Sequence, residues 1–328
     1  MKICFLDNTP FLYNSNDLNS FKLRGAETVL INLAISLSKL NYKITIINNC
    51  PKNEIINNIK WVNINYLNEK LYFDLAISNN DCRFFDKIIS KKKILISHSV
   101  QSLEKFIRKK QLFTYHKYKP KVALLGNYHL KKRNFFTRIY GHFILPYGVD
   151  DIFLKKKLKN EHQIDKNLAI FTSRRDRNLD LLINIWIKKI YPNLKTAKLL
   201  TTPPESFKST NSYNILIRST NDRSFMIDDL CNSRVSLIPG HSAELFCLAA
   251  EEARELCVPI ITLGIGSLSE RVVHNETGFI ANNHEEFAKY TYEIFQNDHL
   301  WNRLRSNLIK LRGQKNWTYS AESLLNNV

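Results

Sequence analysis

Two carboxylates, two arginines and a histidine stand out in this 328-residue chain as side chains whose spacing suits chemistry. Glu244 and Glu252 belong to an alanine- and glutamate-rich run that reads as a helix from Glu244 to Leu256. Eight helical steps separate them by about 12 Å along the axis and about 80° around it. They are too far apart to share a proton or a metal ion. The spacing suits one ligand laid along the helix start, hydroxyl-rich at both ends and anionic between. The amides of Phe246, Cys247 and Leu248 would face its anionic middle. A nucleotide-sugar has that layout: ribose, diphosphate, hexose. An ordinary solvated helix with surface glutamates fits the same spacing.

Arg174 and Arg177 fall in Ser173–Asn178, which follows an apolar run and opens a helical one. Arginines at such a turn, joined by helix amides, make a natural diphosphate clamp; a solvated basic turn is the plainer alternative. His98 ends another apolar run in Ser97-His98-Ser99, where a histidine is commonly a hydrogen-bonded surface group. Gly25, in Arg24-Gly25-Ala26-Glu27, lets a phosphate approach a helix-start amide with no side chain in the way. Gly240 and His241, just before Glu244, are weaker candidates for the same pocket. Gly148, in the turn Pro146–Asp150, is grouped with the donor-binding residues.

Glu244, the Phe246-Cys247-Leu248 run and Glu252-Ala253 resemble the E-x7-E signature of retaining GT-B glycosyltransferases of the family 4 type. The following C-V-P-I-I-T, Gly266-Ser267 and T-G-F resemble later pieces of the same pattern, and Arg24–Glu27 resembles its G-G-x-E loop with arginine for the first glycine. Cys247 stands where the pattern usually has glycine. The resemblance implies that Glu252 binds the donor ribose and Glu244 the donor sugar. It also implies that Arg174 contacts the diphosphate, that Arg177 replaces a lysine there, and that His98 touches the sugar near the reacting carbon. No protein base is then required, because a leaving-phosphate oxygen takes the acceptor's proton.

Strands and helices must hold these residues. Short apolar runs at Ile3–Leu6, Lys43–Ile47, Trp61–Ile64, Phe73–Ile77, Ile94–Ile96, Val122–Leu125 and His142–Leu145 read as strands, with helical stretches such as Gln101–Gln111 and Tyr128–Phe136 between them. The pattern restarts with strands at Leu168–Phe171, Ala197–Leu200, Tyr213–Ile217, Val235–Ile238 and Val258–Ile261. Alternation of this kind predicts doubly wound parallel sheets. The expected fold is α/β: two Rossmann-like domains facing each other across a cleft, the GT-B architecture. Residues 1–148 form an acceptor-side domain, 149–310 a donor domain, and 311–328 a last helix crossing back to the first.

Length suits two domains, and 44% hydrophobic residues mark a globular chain. Six cysteines without C-x-x-C pairing suit reduced, buried thiols in a cytoplasmic protein. No apolar run approaches the length of a membrane span. The net charge of +18 is uneven: residues 1–150 hold 24 Lys and Arg against 10 Asp and Glu, a net +14, which leaves +4 for the rest. With Leu112–Lys119, where aromatics alternate with cations, this charge predicts an anionic membrane surface as partner, on the inner face of the membrane. A soluble acidic acceptor or a lysine-rich composition would also account for it.

The expected activity is transfer of a sugar from a nucleotide-sugar to a lipid-linked or cell-envelope glycan acceptor, with retention of configuration. No D-x-D ends a strand, so metal independence is expected and no cofactor is called for. The rivals are a GT-B nucleotide-sugar epimerase and a non-catalytic basic binding protein. Nucleic acid is disfavoured as a partner, because the basic half lacks a recognisable nucleic-acid motif.

Overall fold

The computed structural model describes residues 1–19, 23–203, 211–219 and 223–328. The chain divides into two compact units, one of residues 1–148 with 315–328 and one of residues 149–314.

The first unit is built on eight strands: β1 (Lys2–Leu6), β2 (Lys43–Asn48), β3 (Glu54–Ile56), β4 (Ile59–Asn63), β5 (Tyr72–Asn79), β6 (Ile89–Ile96), β7 (Lys121–Leu124) and β8 (His142–Ile144). Their order is β3-β4-β2-β1-β5-β6-β7-β8. All neighbours are parallel except the β3–β4 hairpin, which sequence reading missed because three residues carry no periodicity. Strands such as β1 are apolar on both faces because helices cover both. The helix Gly25–Lys39 buries Val29, Leu30, Leu33, Ala34 and Leu37. It stops where Asn41 enters the left-handed region at φ 64°, with Tyr42 N–H donating back to Leu37 O. The helix Trp317–Asn326 belongs to this same unit and contacts the Gly25–Lys39 helix, burying Trp317, Ala321 and Leu324.

Among the described residues the second unit holds six parallel strands: β9 (Asp165–Phe171), β10 (Lys198–Thr201), β11 (Ile215–Ile217), β12 (Ser233–Leu237), β13 (Ile260–Thr262) and β14 (Gly278–Ile280). Their order is β11-β10-β9-β12-β13-β14. The chain leaves β9 toward β10 on one side and returns to β12 on the other, so the order reverses between β9 and β12. That is where open α/β sheets bind ligands, beyond the carboxyl ends of the strands. The core under it is aromatic: Trp186 and Trp301 are fully enclosed, and their indole N–H groups donate to Tyr213 O and Arg234 O. The helix Leu179–Ile185 runs on into a π-helical turn, Trp186–Ile190.

Candidate functional site

The loop after β9 and the turn after β12 meet at this reversal point. After Phe171 the chain turns through Thr172–Arg177, closed by Arg177 N–H donating to Arg174 O at 2.9 Å. Asn178 then takes a left-handed conformation as the cap of the next helix, and its amide Nδ2 donates to Gly240 O. This bond ties the arginine loop to the turn that carries Glu244.

That turn is not the helix start expected from sequence. The helix runs from Leu248 to Glu255, so Glu244 lies a turn outside it and the eight-step geometry does not apply. The reason is local: Cys247 sits at φ 64°, a left-handed residue that a continuous right-handed helix cannot contain. Phe246 also lies outside the helix, its carbonyl accepting from Arg271 Nε at 2.9 Å while the guanidinium stacks 4.2 Å from its ring centre. Glu244 is held through its backbone instead. Its N–H donates to His241 O at 2.9 Å, and its carbonyl accepts from Ser267 N–H at 3.0 Å. Gly266 makes this approach possible. It sits at φ +75°, and an added Cβ would lie 2.3 Å from His241 O and 2.9 Å from Glu244 O.

Burial raises the proton affinity of the Glu244 carboxyl, while the Cys247 thiol and the charges of Arg177 and Arg174 pull it back. Its Oε2 is buried and makes no hydrogen bond within the protein. Ser267 Oγ shares that condition. The arginines meet a residue that sequence reading overlooked. Asp176 accepts from Arg174 at 3.0 and 2.6 Å and from Arg177 at 3.0 Å. Burial lifts the Asp176 carboxyl, but the hydrogen bond from Arg174 and the charges of Arg174, Arg177 and His241 bring it below its usual range.

Glu252, inside the helix, is buried and bonded to Arg223 Nη2 at 2.8 Å. Arg223 also pairs with Asp150. Burial raises the Glu252 carboxyl and Arg223 opposes it. Neither Arg223 nor Asp150 was legible as a partner, since each contact joins segments far apart in the chain. Among the second-unit candidates, Arg174, Arg177, His241 and Glu244 act on Asp176, Gly240 is tied to the same loop through Asn178, and Cys247 bonds to Glu244. Glu252 lies with Arg223 and Asp150, and Phe246 and Leu248 precede and open the helix.

The remaining candidates belong to the first unit. Gly25 is exposed at its helix start, behind Arg24, whose N–H donates to Glu27 Oε2 at 3.1 Å. His98 follows β6, its N–H donating to Asn80 Oδ1 at 2.7 Å. Burial, with His129 adding to it, lowers the imidazole to about 3, so it is neutral at physiological pH. Its Nε2 is buried without a hydrogen-bond partner. Gly148 has a packing reason of its own: an added Cβ would lie 2.5 Å from the Asn316–Trp317 peptide.

Residues 220–311 match the family model described as glycosyl transferases group 1. Solved structures align with the whole chain. Sucrose-phosphate synthase from Thermosynechococcus elongatus does so at 13% identity and TM-score 0.69, covering 99% of this chain and 97% of its own. Anabaena HepE in complex with UDP-glucose gives 13% and 0.70 over 100% and 99%. WaaG, a glycosyltransferase involved in lipopolysaccharide biosynthesis, gives 12% and 0.69 over 98% of each chain. The chain has the GT-B fold. No curated protein sequence matches it significantly. Within this GT-B chain the matched segment includes Glu244, Cys247, Glu252 and Gly266, the second unit's turn and helix. Among the described residues no helix is long and apolar enough to cross a membrane.

Proposed function

We propose that this GT-B chain is a retaining, metal-independent glycosyltransferase of the family 4 type that uses a nucleotide-sugar donor. One observation carries the reading: a buried carboxylate oxygen without a protein partner, Glu244 Oε2, stands beside two arginines at the order reversal of a parallel sheet. A sugar hydroxyl would satisfy that oxygen, and a diphosphate would compete with Asp176 for Arg174 and Arg177. The family match over this segment and the UDP-glucose held by HepE support the same assignment.

In this reading Glu252 holds the ribose and Glu244 the sugar, and Gly25 and His98 keep the donor roles that the family resemblance implies for them. The bond from the anomeric carbon to the leaving phosphate breaks as the acceptor oxygen attacks on the same face, and the acceptor's proton passes to a leaving-phosphate oxygen. The arginines stabilise the departing diphosphate as its charge grows. Neutral His98 offers a hydrogen bond without placing a second cation near the oxocarbenium-like sugar. The acceptor is a lipid-linked or envelope glycan, reached by a cytoplasmic protein resting on the membrane's inner face.

A thermal-shift screen of nucleoside diphosphates and their sugars tests the donor assignment, because a ligand bound only by the folded state raises Tm. At least one diphosphate should stabilise the wild type. Arg177→Ala should weaken it by about 1.5–3 kcal/mol, the range for charged hydrogen bonds. Turnover should persist in excess chelator; loss with rescue by magnesium would overturn metal independence.

A further inference from the structure

The first unit contains a second concentration of polar groups that none of these assignments uses. Beyond the carboxyl ends of β5 and β6, a pit of about 10 Å³ opens between Asn80, Ser97, Ser99, Gln101, Lys105 and Lys109. It has room for roughly one water or one ligand oxygen. Lys105 Nζ donates to Ser99 Oγ at its wall. Gln101 is held from behind by the buried Arg133, whose Nε donates to Gln101 Oε1 at 3.0 Å and Thr137 Oγ1 at 3.1 Å, and whose Nη2 donates to Tyr115 at 3.2 Å. The buried Arg133 Nη1 has no hydrogen-bond partner. His129, fully buried, accepts from Leu125 N–H through Nδ1 at 3.3 Å and faces the backbone of Ser99.

Charge here is unbalanced. The charged groups acting on Lys105, His129 and Arg133 are one another, Arg108, Lys109, Arg138 and the Tyr115 hydroxyl; no carboxylate is among them. A buried guanidinium is ordinarily paired with an acid. Here its partners are a carboxamide and two hydroxyls, and the nearby ammonium groups add positive charge at the mouth.

We propose that this pit binds an oxyanion, with Lys105 and Lys109 holding a phosphate group at its mouth and one phosphate oxygen entering between Ser97, Ser99 and Gln101. That the phosphate is carried by the acceptor rests on the transferase reading; the anion site itself stands on the residues above. Serine hydroxyls and carboxamide N–H groups suit a tetrahedral oxyanion better than a planar apolar group, and the small pit admits one oxygen while excluding a ring.

Calorimetric titration with inorganic phosphate, run with a stabilising nucleoside diphosphate already saturating the protein, tests the site. Wild type should bind phosphate and bind it more tightly at low salt. Lys105→Gln and Lys109→Gln should each weaken it roughly tenfold or more, with nucleoside diphosphate affinity unchanged. Lys132→Gln, an exposed control, should leave it intact. Three results would overturn the proposal: no phosphate binding, equal binding in all variants, or loss of wild-type binding when the diphosphate is present. Phosphate binding that depends on Lys105 in a protein that binds no nucleoside diphosphate would uphold the anion site and remove the donor assignment. Glycerol phosphate should compete and glycerol should not, which separates the phosphate from the molecule that bears it.

Discussion

Glu244 carries a cost in the folded protein that only a ligand would offset. Its Oε2 is desolvated without a partner, so Glu244→Ala should change unfolding free energy by less than about 1 kcal/mol, or raise it, while turnover falls on the order of a hundredfold. Urea midpoints and initial rates on the same preparations check this; a loss of both together would make Glu244 a structural residue. The histidines make a separate prediction. Burial lowers His129 from 6.5 to about 4, so the unfolded chain binds its proton first. The contribution is fully present above pH 6.5 and is lost as pH falls toward 4. His129→Gln should therefore lose less stability than wild type between pH 7 and 5, by on the order of 1–2 kcal/mol. At this scale the sequence showed which residue types matter but not their partners. Asp176 lies between two named arginines and went unweighed, whereas Arg223 meets Glu252 across 29 residues of sequence, beyond any periodicity.

Elements were more legible than contacts. Long β-branched runs and turn chemistry located most of the strands, because a strand buried on both faces must be apolar throughout. What escaped was short or irregular: β3, β14, the π-helical turn, and the break that keeps Glu244 outside its helix. That break depends on backbone conformation at a cysteine, and nothing in the residue's type announces φ 64°. Gly266 gives the element its test. Gly266→Ala places a Cβ against two carbonyl oxygens in a conformation L residues avoid. It should cost at least about 2 kcal/mol in a urea titration, and donor-induced thermal shifts should shrink because Glu244 moves with the turn.

For the whole molecule, the fold's two halves were readable from restarted alternation, whereas the basic surface needed correction. Tyr115 is buried and donates to Thr137 O at 2.8 Å, and Arg133 is buried beside it, so Leu112–Lys119 is not a continuous interfacial stripe. Exposed apolar groups there include Ile107, Phe113, Phe135, Phe136 and Ile139, with Arg108, Lys109, Lys131, Lys132 and Arg138 exposed on the same and neighbouring segments. Aromatic rings among cations suit the interface of an anionic bilayer. The protein should sediment with anionic vesicles at low salt, release as salt rises, and bind more weakly as Phe135→Ser/Phe136→Ser. Failure to sediment with anionic vesicles at low salt would remove the membrane from the proposal.

The first unit is completed by residues that follow the entire second unit in the chain. The Gly25–Lys39 helix leaves the ribosome before the second unit, yet the Trp317–Asn326 helix that covers part of it appears only after the entire second unit. Tyr147 likewise waits for Trp317, whose ring centre lies 5.8 Å from its own. At about 5–20 residues per second, the intervening 149–314 segment holds that apolar surface open for roughly 10–30 seconds, longer than most elementary folding events. Nascent chains arrested before residue 315 should therefore expose it to chaperones, and a stop codon there should lower the solubility of the first unit.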